Sequence, residues 1–105
     1  MTAAEFLQSL PTRATPEAIE GMDTNFQFDL SGEGGGQYTV LAHDGQLEVQ
    51  PGHVGQPKCE VRADADQFMR VVRGDTNPMM AVMTGKIKIS NTAELLKYAK
   101  VFGLM

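Results

Sequence analysis

The sequence predicts an α+β fold, a five-stranded, largely antiparallel sheet covered on one face by short amphipathic helices. Two observations carry this expectation. Along the chain the apolar spacing switches from a helical period to strict alternation and back, so both element types are encoded. Each alternating segment also has one apolar and one polar face, which asks for a cover on one side only. The 105 residues fit a single domain, 1–105, built around one core.

Thr2 and Glu5 form a capping-box pattern, and Phe6, Leu7 and Leu10 follow at helical spacing until Pro11, which is expected to end this first helix. Thr15-Pro16-Glu17 is a second start, with a capping hydroxyl, a proline suited to the first helical position and an acid near the positive helix end; Gly21 closes it. From Asn25 the period becomes two. Phe26, Phe28 and Leu30 alternate with Gln27 and Asp29, so one face is apolar and the other wet. The stretch from Ser31 to Gly36 breaks this strand, and Tyr38, Val40 and Ala42 resume it as a hairpin partner. Asp44-Gly45 is the next tight turn, and Leu47 and Val49 continue to Pro51. After a polar loop, Cys59, Val61 and Ala63 alternate again. These four strands read as an antiparallel meander.

Helical spacing then returns, with Ala65, Phe68, Met69 and Val72 on one face, Asp64 or Asp66 as cap and Gly74 as terminator. Asn77 caps a short helix that opens at Pro78, carries Met79, Met80, Val82 and Met83, and ends at Gly85. Ile87 and Ile89 alternate with Lys86 and Lys88 as a fifth strand. Asn91 or Thr92 caps a last helix with an apolar stripe of Leu95, Ala99 and Phe102.

Composition excludes several classes of function. With 42% apolar residues, 21% charged residues and a net charge of -4, the chain reads as folded and soluble. The net charge is negative and the nine basic residues are scattered, which argues against nucleic acid as a partner. A lone Cys59 forms no internal disulfide and points to a reducing compartment. No apolar run reaches the length of a membrane span, and the amino terminus lacks the pattern of a signal peptide. The cytoplasm is the expected location.

No catalytic or metal-binding set can be assembled from the spacing, and no cofactor is expected. The run Gly32-Glu33-Gly34-Gly35-Gly36 lacks a following Lys-Ser/Thr and leads into a strand, so it is a hairpin loop and no phosphate cradle. His43 and His53 lie beside turns and read as surface residues. Cys59 lies on an apolar strand face with nothing adjacent to lower its pKa. Asp64, Asp66 and Asp75 stand where caps and turns need them. Met69, Met79, Met80 and Met83 cluster in two successive helices. They fit two readings, adaptable core filler or the wall of a site that accepts ligands of varied shape.

The segment CEVRADADQFMRVVRGDTNPMMAVMTGKIKISN, residues 59–91, resembles the sterol carrier protein 2 family of nonspecific lipid-transfer proteins. The resemblance is carried by the acidic helix start before Phe68, by Gly74, by Pro78 with its apolar turn and above all by TGKIKI at 84–89. It implies an apolar tunnel between sheet and later helices that binds fatty acid, fatty acyl-CoA, sterol or another lipid without chemistry. By position the lining would come from Phe68, Met69, Val72, Met79, Met80, Val82, Met83, Leu95, Ala99 and Phe102. It also implies a long-chain lipid as partner, at most transient membrane contact, and, as the alternative, a dimerising or accessory scaffold in a lipid- or quinone-related enzyme assembly. The chain departs from the family at Asn91, where glycine is common, and it ends at Met105 without the longer tail and peroxisomal tripeptide of the animal members.

Overall fold

The computed structural model describes residues 1–98, apart from the side chains of Pro16 and Ala18. Ala99 and Phe102, predicted on the last helical stripe, lie outside the described residues. The elements are α1 (Ala3–Arg13), α2 (Pro16–Ile19), β1 (Thr24–Ser31), β2 (Gly36–His43), β3 (Gln46–Pro51), β4 (Cys59–Asp64), α3 (Ala65–Val72), α4 (Pro78–Met83), β5 (Ile87–Ile89) and α5 (Thr92–Lys97).

α1 starts on the predicted capping box. Thr2 Oγ1 accepts the Glu5 N–H at 3.1 Å while the Thr2 N–H donates to Glu5 Oε1 at 2.8 Å. That backbone donor holds the Glu5 carboxyl below its ordinary pKa. Pro11 does not end the helix, which runs on to Arg13 with the Ala14 N–H on the Leu10 carbonyl at 2.9 Å. The proline forfeits one bond near the helix end, and Leu7 and Leu10, both 0% exposed, keep the last turn pressed on the sheet.

The five strands form one sheet in the order β3-β2-β1-β4-β5. Three pairs are antiparallel, as predicted, but β4 lies parallel to β1, with Phe28 opposite Val61. The expected four-strand meander therefore stops at β3. The segment 52–58 crosses the second face of the sheet, and polar side chains that alternation had assigned to solvent hold it there. The Thr39 hydroxyl donates to the Gly52 carbonyl at 2.7 Å and accepts the Val54 N–H at 2.9 Å. Asn25 Nδ2 donates to the Val54 carbonyl at 2.9 Å and Gln27 Nε2 to that of Gly55 at 3.2 Å. Beneath the crossing, Gln27 and Thr39 are buried and bonded, so that part of the face is dry, whereas Glu60 and Arg62 farther along it are exposed, as the alternation suggested.

The opposite face carries the core. Phe6, Leu7 and Leu10 of α1 meet Phe26, Phe28, Leu30 and Val40, all buried. Phe68 of α3 stands edge-on to Phe6, at 6.1 Å between centroids, and to Phe28, at 5.8 Å. The glycine-rich loop joins β1 to β2, as expected. A Cβ on Gly35 would collide with the Leu30 carbonyl, and the Gly34 carbonyl accepts the Ala4 N–H at 3.0 Å, which ties the loop to α1.

Candidate functional site

Three short helices reach over β4 and β5, each held in place by a polar cap. Asp64 Oδ2 accepts the Asp66 N–H at 3.0 Å to start α3, which ends before Gly74 at a φ of 84°. Asn77 Oδ1 accepts the Met79 N–H at 2.9 Å, Pro78 opens α4, and Gly85 at a φ of 77° follows its end. Asn91 Oδ1 accepts the Glu94 N–H at 3.1 Å to start α5. Two further contacts fasten α5 to the sheet. The Thr24 hydroxyl donates to Glu94 Oε2 at 2.9 Å, and Tyr98 stands edge-on to Phe26 at 6.0 Å. Glu94, only 8% exposed, also faces Lys97 Nζ at 3.6 Å, so its charge is partnered.

These helices do not close onto the strands. A cavity of about 260 Å³ lies between them, floored by Phe28, Val61, Ile87 and Ile89 and roofed by Phe68 and Val71 of α3, Asn77, Pro78, Met79 and Val82 around α4, and Thr92, Leu95 and Leu96 at α5. Met79 and Leu96 are each 53% exposed, so the cavity opens to solvent between α4 and α5. Asn77 and Thr92 are the polar side chains of the lining, which has no titratable group among the described residues. Left dry, a void of that size would cost about 6 kcal/mol at ~24 cal/mol per Å³, comparable to the whole stability of a small domain. A filling of matching polarity is therefore strongly favoured.

Of the residues predicted to line a site, Phe68, Met79, Val82 and Leu95 meet at this cavity. Met69 is buried at 6% and Val72 is half-buried, and neither faces it; Met80 and Met83 are 54% and 77% exposed and turn outward. Ala99 and Phe102 lie outside the described residues. Val71 lines the cavity in place of Val72, and the floor of Val61, Ile87 and Ile89 did not enter the predicted set. Its signal was present in the inward alternation of β4 and β5.

The remaining candidates take structural places. His43 and His53 lie at the surface, and His43 sits 3.1 Å from Asp44 and 3.7 Å from Asp23. Cys59 is fully buried beneath the start of α5 with Sγ 3.4 Å from the Asn91 carbonyl, and burial pushes its thiol above the ordinary pKa. Among the described residues, no group of three or more His, Cys, Asp and Glu could hold a metal ion, and no helix is long and apolar enough to cross a membrane.

A family model described as the SCP-2 sterol transfer family matches residues 4–103. Hydroxysteroid dehydrogenase-like protein 2 of Mus musculus is 33% identical over 96 residues, a match that takes in 85% of this chain and 19% of the mouse protein. The stereoselective inverting sec-alkylsulfatase Pisa1 from Pseudomonas sp. has a segment of the same fold, at a TM-score of 0.79 and 16% identity over 100% of this chain and 16% of that one. The sterol carrier protein domain 2 of Helicoverpa armigera superposes at a TM-score of 0.70 with 21% identity, over 94% of this chain and 81% of that one. The chain thus spans about a fifth of the curated relative and a sixth of the sulfatase.

Proposed function

The chain belongs to the SCP-2 sterol transfer family, and from that premise we propose that the cavity between α3–α5 and the sheet binds the hydrocarbon part of a lipid, without chemistry. The observation that carries this reading is the lining itself. Among the described residues it is apolar with no charged side chain, which favours an uncharged portion of a ligand there. A carboxylate or phosphate headgroup stays at the mouth, between Met79 and Leu96. Near 260 Å³ the cavity lies just below the usual range for small-ligand sites, so a long fatty acid or acyl-CoA tail extends to the mouth or displaces the flexible Met79 side chain. Phe68, Met79, Val82 and Leu95, with Val71 and Ile89, are the residues proposed to touch it.

A fluorescent long-chain fatty acid titrated into the protein tests this directly. Saturable uptake, displaced by unlabelled fatty acid and weakened tenfold or more by Met79→Glu, is the expected result. Met79 is half exposed, so this variant keeps its fold while placing a charge at the cavity. No saturable binding of any long-chain lipid would overturn the reading. A second reading, an accessory or dimerising domain, draws support from the much greater length of the mouse relative and the sulfatase. It requires a concentration-dependent dimer or a stable partner together with absence of lipid uptake.

A further inference from the structure

Two polar side chains interrupt the apolar lining, and both keep hydrogen-bonding groups that the fold does not use. Asn77 Oδ1 is occupied, since it accepts the Met79 N–H at 2.9 Å and the Met80 N–H at 3.4 Å. That fixes the amide and leaves Asn77 Nδ2, a donor, without a hydrogen-bond partner among the described residues. The half-buried Thr92 hydroxyl, both donor and acceptor, likewise has none there. Neither group holds its helix in place, because the cap of α4 is the Asn77 oxygen and that of α5 is Asn91 Oδ1.

Position, size and charge narrow what these groups can meet. Asn77 opens α4 just before Met79, and Thr92 lies one helical turn from Leu96, so both belong to the rim where the cavity opens between α4 and α5. The floor opposite, from Phe28, Val61, Ile87 and Ile89, is apolar throughout. An apolar protein cavity of about 150 Å³ accommodates benzene, so at equal filling this one, near 260 Å³, takes about ten non-hydrogen atoms. No cation lines it among the described residues. Lys97 of α5 stands outside the lining and faces Glu94 at 3.6 Å, so a carboxylate at the opening has to keep its water.

We propose that Asn77 Nδ2 and the Thr92 hydroxyl are specificity determinants that select a neutral medium-chain lipid, about ten non-hydrogen atoms long and carrying one alcohol or ketone oxygen. The inference rests on the reading of the cavity as a lipid site and names the class of ligand. The alkyl end lies on the strand floor, and the oxygen at the rim accepts from Asn77 Nδ2; an alcohol also exchanges a hydrogen bond with Thr92. A plain hydrocarbon of the same size strips water from both side chains and replaces it with nothing, and a site with polar groups left unpaired rejects such a ligand. Methylenes beyond the capacity of the cavity stay in the opening, where their burial adds little.

The test is a set of NMR amide-shift titrations of the whole chain with nonanol, octanoate and butylbenzene, which are matched in non-hydrogen atoms. Nonanol is expected to bind about fivefold or more tighter than either. Asn77→Ser keeps an oxygen for the α4 cap while removing the amide donor, and Thr92→Val keeps the side-chain shape; the amide spectrum of each variant checks that the fold is intact. Each is expected to weaken nonanol by about fivefold, the usual effect of one neutral hydrogen bond, while butylbenzene binds as well or better. Along the series from hexanol to nonanol, affinity is expected to rise about fourfold per methylene and then to level off. Equal losses for nonanol and butylbenzene in the variants, nonanol no tighter than butylbenzene, or octanoate as tight as nonanol overturns the specificity and leaves the cavity reading standing. A rise that continues to tridecanol, or binding of long-chain lipids alone, overturns the size limit in the same way. If neither these ligands nor any long-chain lipid binds, the cavity reading falls with the proposal.

Discussion

The two ends of the sheet are covered by helices of different length, and they are packed differently. Over β1–β3 the main cover is α1, which seats Phe6, Leu7 and Leu10 at 3%, 0% and 0% exposure, and Ile19 of α2 is buried beside Ala42, so that end is solid. Over β4 and β5 the cover is α3, α4 and α5, and of α4 only Ala81 is fully buried. A six-residue helix makes less than two turns and presents a narrow face. With capped turns fixing its position, α4 cannot sink onto the strands, and a cavity remains. Phe28 and Phe68, 5.8 Å apart and edge-on, form the wall that the two regions share. Helix length, more than hydrophobicity, separates the part that stabilises the fold from the part that holds a void.

Substitutions can break that contrast or sharpen it. Phe26→Ala, in the solid end at 0% exposure, is expected to lose about 3–5 kcal/mol of stability in urea unfolding. Thr39→Val comes next. It keeps the shape but strands the Val54 N–H and the Gly52 carbonyl beneath the crossing segment, at about 2 kcal/mol. Val82→Ala, beside the cavity, is expected to cost only about 1 kcal/mol, because the removed methyls already adjoin a void. Met83→Ser on the rim should change stability by no more than about 0.5 kcal/mol. If Val82→Ala proved as costly as Phe26→Ala, the two ends would be equally packed and the contrast would fail.

Much of this was legible in the sequence. The helix caps at Thr2, Asp64, Asn77 and Asn91 are local chemistry, and each acts where the residue type predicts. The inward faces of the strands follow from alternation. The crossing was not legible, because alternation reports that Gln27 and Thr39 are polar without saying what covers them. A buried amide bonded to a passing loop has the same pattern as one bonded to water. The roof was legible only in part. On α3, positions 68 and 71 and positions 68 and 72 both fit a helical face, and contacts with other elements decide between Val71 and Val72. The methionines of α4 shared a composition but not an environment, since a short helix divides its few side chains between cavity and solvent. The family resemblance directed attention to the segment whose helices roof the cavity, while the cavity's floor comes from strand residues that spacing alone reads as ordinary core.

The exposure gradient among the methionines also has a chemical consequence. Thioethers take up oxygen from peroxides according to access, giving a polar sulfoxide. Met83, Met80 and Met79 on α4 stand open, whereas Met22 and Met69 are 3% and 6% exposed. Mild peroxide should therefore modify α4, together with Met1 at 66% exposure, and leave the thioethers of Met22 and Met69 intact until the fold opens. Each added oxygen replaces an apolar contact at the rim with one that prefers water. The helix at the entrance thus gives the protein a built-in sensitivity to oxidants, and the degree of sulfoxidation on 79–83 would register how far its surface had turned from oil-like to water-like.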